Sequence, residues 1–155
     1  MSLTVVHARM PAEIEDARGM FKEYQSSIGV DLCFQNFEQE LKELPGEYSE
    51  PRGCILLARV ETKLAGCVAL RPLSSDICEM KRMYVRPSFR GQGLGRTLAE
   101  NIIAEARKRR YRRMRLDSLC SMKEALFLYQ SLGFVPIDAY RPNPVEGAVF
   151  LELNL

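Results

Sequence analysis

The residues best suited to chemistry lie in one short stretch of glycines and cationic side chains. It comprises Arg90, Gly91, Gln92, Gly93, Leu94, Gly95, Arg96 and Thr97. A helix-like apolar pattern begins inside it, and the first turn of a helix has N–H groups without intrahelical partners at the positive end of the helix dipole. Glycines let an anion approach those N–H groups, and arginines add cationic donors. The stretch therefore predicts a phosphate-binding loop.

Two common phosphate signatures are absent from this loop. A Walker loop ends in Gly-Lys-Ser/Thr, but the residue five positions after Gly91 is Arg96. The dinucleotide pattern G-x-G-x-x-G also fails, because its third glycine would fall on Arg96 or Leu98. The sequence therefore disfavours both of these nucleotide-binding classes.

Hydrophobic spacing around the loop predicts the elements that position it. A strand from Ile77 to Val85 precedes it, and Pro87 ends regular pairing. An amphipathic helix begins at Gly93, because apolar residues recur every four positions at Leu94, Leu98, Ile102 and Ala106.

The remaining patterns predict a mixed α/β fold in a single domain, residues 1–155. The predicted strands are 3–9, 54–58, 64–70, 114–117 and 148–153, and 54–85 form an antiparallel meander with a turn at 61–63. The predicted helices are 14–28, 34–44 (stopped by Pro45-Gly46) and 125–132 (closed by Gly133), with an exposed connection at 29–33.

Composition limits the function classes. The chain has 155 residues, of which 46% are apolar and 27% charged, and a net charge of +2. This balance does not indicate a general nucleic-acid or membrane binder. The sequence lacks both an apolar run of the ~20 residues that span a bilayer and a signal-peptide pattern, so we expect a cytoplasmic protein.

Cysteine and histidine usage indicates reduced thiols rather than a metal site. The five cysteines, one of them Cys33, form no C-x-x-C pair. The only histidine, His7, lies far from them in sequence. We therefore expect buried thiols in a reducing compartment, no zinc and no catalytic cysteine.

Three segments occur in an informative order. They are Glu79–Val85, the R-x-x-G-x-G pattern of Arg90, Gly93 and Gly95, and Leu128–Phe134 with the sequence L-Y-Q-S-L-G-F. Over about residues 53–135 the chain resembles the GNAT superfamily of N-acetyltransferases. The resemblance implies a mostly antiparallel sheet splayed between strands 4 and 5, about four helices, and acetyl-CoA in the split without a metal.

The resemblance also implies how the acyl donor is bound. Backbone groups of Met83 and Val85, with Tyr84 between them, would pair with the pantetheine arm. Main-chain N–H groups from Gly91 through Thr97 would hold the pyrophosphate beside Arg90 and Arg96. An N–H near Val85 would polarise the thioester carbonyl.

Two side chains match catalytic positions of the family. Attack requires a neutral amine, whereas an alkyl ammonium has a pKa near ~10, so some base must remove a proton. Glu79 occupies a position where many members place this carboxylate, and strand alternation predicts that it shares a face with Lys81, Met83 and Val85. The alternative is an ion pair of Glu79 with Lys81 or Arg82.

Tyr129 matches the family's general acid, which protonates the departing thiolate. The alternative is a packing role, since it shares a helix face with Ala125 and Leu126. One departure is Met122, which stands where many members carry a cofactor-contacting asparagine; Ser121 or Lys123 are the nearest substitutes.

The acceptor is an amine that the sequence does not identify. Tyr24, Phe34 and Tyr140 are pocket candidates, and the loop 139–147 contains two prolines that would stiffen a pocket wall. Within it, Arg141 is either a surface arginine or a binder of an acceptor carboxylate.

Two function classes and several partners stay open. The chain is either an active N-acetyltransferase on a small-molecule or protein amine, or a non-catalytic coenzyme A-binding sensor or interaction module.

Seven of the nine residues from Arg107 to Arg115 are basic. They form a solvated helix end, a contact for a phosphate-rich partner, or a contact for the coenzyme's 3′-phosphate. A homodimer is compatible with the resemblance, and nucleic acid is not indicated.

Overall fold

The computed structural model describes residues 2–29 and 36–155. Cys33, the pocket candidate Phe34 and most of the predicted connection 29–33 lie outside the described residues. None of the helices in the described part of the chain combines the length and apolar character needed to cross a membrane.

Strands and helices follow the predicted order. The strands are β1 Leu3–His7, β2 Cys54–Val60, β3 Lys63–Pro72, β4 Ile77–Val85, β5 Arg113–Leu119, β6 Val135–Ile137 and β7 Ala148–Asn154. The α-helices are α1 Pro11–Ile28, α2 Phe37–Glu43, α3 Leu94–Lys108 and α4 Lys123–Ser131, with 3₁₀ turns at Gly46–Tyr48 and Pro87–Phe89. The strand predicted for 3–9 ends at His7, because the N–H groups of Arg9 and Met10 are donated to the Glu13 carboxylate as α1 begins.

The described strands form one sheet in the order β1-β2-β3-β4-β5-β7-β6. The predicted meander of β2, β3 and β4 is confirmed, and β4–β5 is the parallel pair. These two strands pair only where Ile77–Glu79 meets Arg113–Arg115. Beyond those residues β4 and β5 separate, which confirms the predicted splay.

A β-bulge interrupts β4 within the split, just beyond the last residue that pairs with β5. Tyr84 lies opposite Cys67 and Lys81 opposite Ala69, so β4 has one residue more than β3 over this interval. Arg82 takes up the extra length with a positive φ of 59°. A bulge of this kind reverses the side-chain alternation for all residues that follow it.

The bulge corrects one prediction about the site. Met80 belongs to the core that also packs against Met83 and Val85. Glu79 precedes Met80 and therefore points to the opposite side of the sheet. The prediction that Glu79 shares a face with Met83 and Val85 is wrong for this reason.

Each face of the sheet is covered by a different pair of helices. On one side α3 and α4 pack through residues such as Leu98 and Tyr129. On the other side α1 and α2 pack through Phe21 and Phe37. Both layers reach the split between β4 and β5, so residues from either face can line it.

Candidate active site

The start of α3 presents open main-chain donors. Gly91 and Gly93 have φ of 79° and 80°, a conformation that strains residues with a Cβ. A Cβ added at either position would have no described atom within 4 Å. Gly93 is the N-cap residue and has no side chain with which to cap the first-turn N–H groups. This geometry leaves those N–H groups accessible to an anion.

The side chains of the loop also contact the protein around it. Arg96 Nη2 donates to Ser131 Oγ at 2.6 Å and so joins α3 to α4. Thr97 Oγ1 donates to the Gly93 carbonyl at 3.1 Å. Arg90 Nε donates to the Val85 carbonyl at 2.9 Å. The Gln92 side chain is exposed. Accessible hydrogen-bond donors for an anion are therefore provided mainly by the backbone.

A cavity of about 770 Å³ opens where β4 and β5 diverge. Its lining includes these predicted site residues: Met83, Tyr84, Val85, Arg90, Gly91, Gly93, Leu94, Gly95 and Tyr129. The lining also includes Tyr24 and the segment 121–123, which contains Met122 and its two possible substitutes. Five predicted site or pocket residues lie outside the lining: Glu79, Gln92, Arg96, Thr97 and Tyr140. The cavity thus connects the start of α3 with Tyr129.

Tyr129 is buried and yet lines the cavity. Its side chain is 6% exposed, and its ring centroid lies 5.7 Å from that of Phe134. Burial raises the pKa of Tyr129, and Tyr24 on the facing helix acts in the same direction. The phenol therefore keeps its proton at neutral pH and can donate a hydrogen bond into the cavity.

Glu79 is fully buried and its carboxylate accepts from several donors. Arg71 Nε lies 2.8 Å from Oε1, and the Tyr140 hydroxyl 2.5 Å from Oε2. Arg141 bonds both oxygens, at 3.2 Å from Nη1 to Oε1 and through a short contact from Nη2 to Oε2. Arg71 from a neighbouring strand and Arg141 from a distant loop therefore bind this carboxylate, in addition to Lys81, whose charge the sequence offered as an ion-pair partner and which also acts on Glu79.

These contacts decide the ionisation of Glu79. Burial by itself would raise the pKa of the carboxyl. Lys81, Arg71 and Arg141, with the hydrogen bond from Tyr140, outweigh burial and hold this pKa below its ordinary value. Glu79 is therefore a stable anion at neutral pH.

Asp117 of the neighbouring strand β5 contacts two of the charged residues that also surround Glu79. Its carboxylate accepts from Arg141 Nη2 at 3.3 Å and from Asn143 Nδ2 at 3.2 Å, and Lys81 Nζ lies 3.8 Å away. The pKa of Asp117 is lowered because Lys81 and Arg141 outweigh burial. We call the five charged residues Arg71, Glu79, Lys81, Asp117 and Arg141 the buried ion cluster.

Sequence reasoning missed most of the buried ion cluster. The sequence indicates Lys81 only as an alternative ion-pair partner of Glu79, and Asp117 only as a strand residue. Arg141 was left between a surface arginine and a carboxylate binder. Its side chain is only 22% exposed and binds two buried carboxylates, so the surface alternative is wrong.

His7 lies close to a cysteine in space, contrary to the sequence expectation. His7, Cys54 and Glu105 have potential metal-ligand atoms within 4.8 Å of one another. Burial raises the pKa of the Cys54 thiol to about 12, which makes it a poor nucleophile at neutral pH. Glu105 Oε1 already accepts from Arg109 at 2.7 Å, and that cation disfavours a metal at the same oxygen.

Most of the described cysteines are buried, as the sequence predicts. Cys54, Cys67 and Cys78 are free and buried, whereas Cys120 is free and exposed.

The basic run from Arg107 to Arg115 is partly neutralised. Arg109 and Lys108 pair with Glu105, and Arg115 Nε donates to Glu152 at 2.8 Å. Tyr111, its one aromatic residue, is buried. Of the remaining exposed cations, Arg107 lies in the last turn of α3, where positive charge offsets the helix dipole, and Arg110, Arg112 and Arg113 follow the helix.

Comparison with known proteins identifies the class to which this fold and site belong. A model of the acetyltransferase (GNAT) family matches residues 15–134. The chain is 37% identical over 156 residues to an uncharacterized N-acetyltransferase of Schizosaccharomyces pombe, a match that covers 99% of this chain and 96% of that protein. The chain therefore belongs to the GNAT family of N-acetyltransferases, as the resemblance implied.

Solved structures support the fold. A GNAT-family acetyltransferase of Staphylococcus aureus superposes with a TM-score of 0.82 at 17% identity, over 99% of both chains. The acetyltransferase yncA of Salmonella typhimurium, determined with its cofactor acetyl-CoA, superposes with a TM-score of 0.69 at 20% identity, over 99% of this chain and 94% of that one. Members of the family use acetyl-CoA as acyl donor, so the cavity can be tested for its fit to this molecule.

Proposed function

We propose that this protein transfers the acetyl group of acetyl-CoA to a primary amine of a small molecule or protein by direct attack. The observation that carries the proposal is the cavity between β4 and β5, which connects open main-chain donors at α3 with the Tyr129 phenol. A diphosphate fits the first end, because Gly91 and Gly93 leave the approach to those donors clear. A thiol leaving group fits the second end, where the Tyr129 phenol can donate a hydrogen bond.

The donor binds along β4 in this proposal. Beyond Glu79 this strand has no described partner on the β5 side, so its main-chain groups can pair with an extended amide-containing arm. Met83 and Val85 provide these groups, Gly91 through Thr97 hold the pyrophosphate, and Arg90 and Arg96 add positive charge nearby. Bound acetyl-CoA supplies a thioester whose carbonyl carbon is open to an amine.

Tyr129 is the proposed proton donor. The ordinary pKa of a thiol is about 8.5, and the pKa of Tyr129 is raised above that of an ordinary tyrosine. Tyr129 therefore remains protonated at neutral pH and hydrogen-bonds the sulfur as negative charge develops there. A main-chain N–H near Val85 stabilises the developing charge on the carbonyl oxygen.

Glu79 as general base stays a prediction, and the geometry favours a positioning role instead. Both carboxylate oxygens accept hydrogen bonds from cations, and a lowered pKa makes the carboxylate a weak base. We infer that Glu79 orders Arg141 and Tyr140, while water in the cavity accepts the proton of the incoming ammonium.

The test is a panel of primary amines incubated with acetyl-CoA, with release of free thiol as the readout. We expect amine-dependent release and acetylated amine in equal amounts. Radioactive acetyl-CoA should leave no stable label on any cysteine during turnover, because attack is direct. Binding of acetyl-CoA without thiol release for any amine would favour a non-catalytic module, and stoichiometric cysteine labelling would contradict direct attack.

A further inference from the structure

The cavity between β4 and β5 passes from one face of the sheet to the other. Its lining residues Leu128 and Tyr129 belong to α4 and pack in the core layer on the α3 side. Its lining residues Tyr24 and Ile28 belong to α1 and pack in the core layer on the opposite side. Such a passage is possible because β4 and β5, both described in full, do not pair beyond Glu79. The cavity is therefore bounded by helices from both faces.

The proposed donor occupies one side of this passage. Its pyrophosphate binds near Gly91 and Gly93 at the start of α3, and its thiol lies near Tyr129 of α4. These residues border the cavity from the side of α3 and α4. An amine must reach the thioester carbonyl carbon along a path that the donor leaves clear, and the α1 wall borders the rest of the cavity. Side chains of α1 are therefore placed to meet the acceptor.

The α1 wall offers one open hydroxyl, that of Tyr24. The lining residues Tyr24, Ser27 and Ile28 are three and four positions apart and so share one face of α1. Ser27 Oγ donates to the Tyr24 carbonyl at 2.8 Å, and Ile28 has no polar side-chain atom. Within residues 2–29 and 36–155, the Tyr24 hydroxyl makes no hydrogen bond to another side chain or to the backbone. This hydroxyl can therefore bind a group that enters the cavity.

The phenols of Tyr24 and Tyr129 lie within electrostatic range of each other across the cavity. Burial, and then the Tyr24 phenol, raise the pKa of Tyr129. Burial also raises the pKa of Tyr24. Both hydroxyls therefore keep their protons at neutral pH. A phenol oxygen can also accept a hydrogen bond through its lone pairs, so the two hydroxyls can contact two different reacting atoms.

The position of Tyr24 is fixed from two directions. Glu23, its neighbour in α1, accepts from Arg86 Nε at 3.0 Å and from Arg86 Nη2 at 2.6 Å. Arg86 directly follows β4, so this ion pair ties α1 to the strand beside the cavity. The Tyr24 ring packs edge-on against Tyr84, with ring centroids 6.3 Å apart and planes at 75°. A side chain held by a helix and by a neighbouring ring can orient a substrate at small entropic cost.

We propose that Tyr24 is a catalytic residue that orients the acceptor: its hydroxyl oxygen accepts a hydrogen bond from the N–H of the attacking amine and aims the nitrogen lone pair at the thioester carbonyl carbon. This inference rests on the proposed function and adds a second phenol to the same site. In the step itself the C–N bond forms and the C–S bond breaks. The nitrogen releases its surplus proton to cavity water, and the sulfur takes a proton from Tyr129, which water restores. Tyr24 keeps its proton throughout.

The test compares Tyr24→Phe with the wild type in steady-state acetylation of the two fastest primary amines of the panel, chosen with different side chains, at saturating acetyl-CoA. Phenylalanine keeps the ring and its packing on Tyr84 and lacks only the hydroxyl. We expect kcat/KM for both amines to fall by about 10-fold or more and by similar factors, because the lost hydrogen bond is to the nitrogen that they share. Unchanged kcat/KM would overturn the inference. A loss confined to one amine would also overturn it, because Tyr24 would then recognise a side chain of the acceptor.

Two further measurements separate orientation of the amine from donor binding and from folding. Calorimetric titration should give Tyr24→Phe a Kd for acetyl-CoA within about 2-fold of the wild type, because the hydroxyl contacts the amine and not the donor. A loss of acetyl-CoA affinity as large as the fall in kcat/KM would contradict this. Tyr111→Phe is the matched control, since it removes the hydroxyl of a buried tyrosine that lies outside the cavity lining and donates to the Arg52 carbonyl. It should keep the wild-type kcat/KM, and an equal fall in this variant would overturn the assignment of Tyr24.

The same samples distinguish failure of this inference from failure of the proposed function. Acetylation of amines by Tyr24→Phe at the wild-type rate contradicts only the inference. Uptake of acetyl-CoA by the wild type with no acetylation of any amine contradicts the proposed function, and this inference with it.

Discussion

The start of α3 that lines the cavity, which we call the donor side, and the buried ion cluster are built in opposite ways. The donor side is formed by one contiguous segment, and its open groups are main-chain N–H groups exposed by Gly91 and Gly93. The buried ion cluster is formed by charged side chains from β3, β4, β5 and a loop, which meet only in the folded protein. A backbone site depends little on the identity of the surrounding side chains, whereas each member of a buried side-chain cluster depends on the others for its partners.

This difference predicts which variants damage the fold and which damage only the reaction. Side chains of the buried ion cluster support one another, so removing one charge leaves others unpaired in the interior. Groups on the donor side face the cavity, so changing them alters binding or turnover with smaller effects on folding.

The largest expected effect is on stability, in Glu79→Gln. Removing this charge leaves Arg71 without its buried counterion and Arg141 with Asp117 alone, and we expect a loss of about 3–5 kcal/mol in the free energy of unfolding. Glu47→Gln is the matched control, because Glu47 contacts the same Arg71 from an exposed position and should cost at most about 1 kcal/mol. Denaturant unfolding of both variants measures the difference, and equal losses would contradict the account.

The ionisation of Glu79 also predicts how the stability of the fold depends on pH. The pKa of Glu79 is lower in the folded protein than in the unfolded chain. Its stabilisation is therefore complete above the unfolded value of about 4.3 and is lost as the pH falls through the folded value. Thermal unfolding below about pH 4 should show this loss in the wild type and a smaller loss in Glu79→Gln.

A smaller effect, confined to turnover, is expected for Tyr129→Phe. The ring and its packing against Phe134 remain, so stability and acetyl-CoA affinity should stay close to wild type. Loss of the hydroxyl removes the proton donor, and we expect kcat to fall by about 10- to 100-fold. Steady-state kinetics with a good acceptor measure this change, and unchanged kcat would assign Tyr129 to packing alone.

Local patterns in the sequence were sufficient to predict the fold and the position of the glycine loop before α3. The apolar stripe of α3, the meander and the glycine loop each depend on neighbouring residues, and the structure has them at the predicted places. The short strand β6 was missed because three residues that include Pro136 show no alternation.

Contacts between residues far apart in the chain could not be predicted from the sequence. The bulge at Arg82 has no local signal, and it reverses the face on which Met83 and Val85 lie. The contact of Arg141 with Glu79 joins residues 62 positions apart, so no spacing rule predicts it. The proximity of His7 to Cys54 was not predicted, because these two residues are also far apart in the sequence.

Calorimetric titration of acetyl-CoA into the folded protein and into Gly93→Val tests the central claim most directly. We predict saturable binding at one site by the wild type. The variant should bind at least about 10-fold more weakly, because a β-branched side chain at positive φ is strained and obstructs the first-turn N–H groups of α3. Gly46→Val places the same side chain at another positive-φ glycine away from the cavity and should bind like the wild type. No uptake by the folded wild type, or equal affinity in Gly93→Val, would contradict the account.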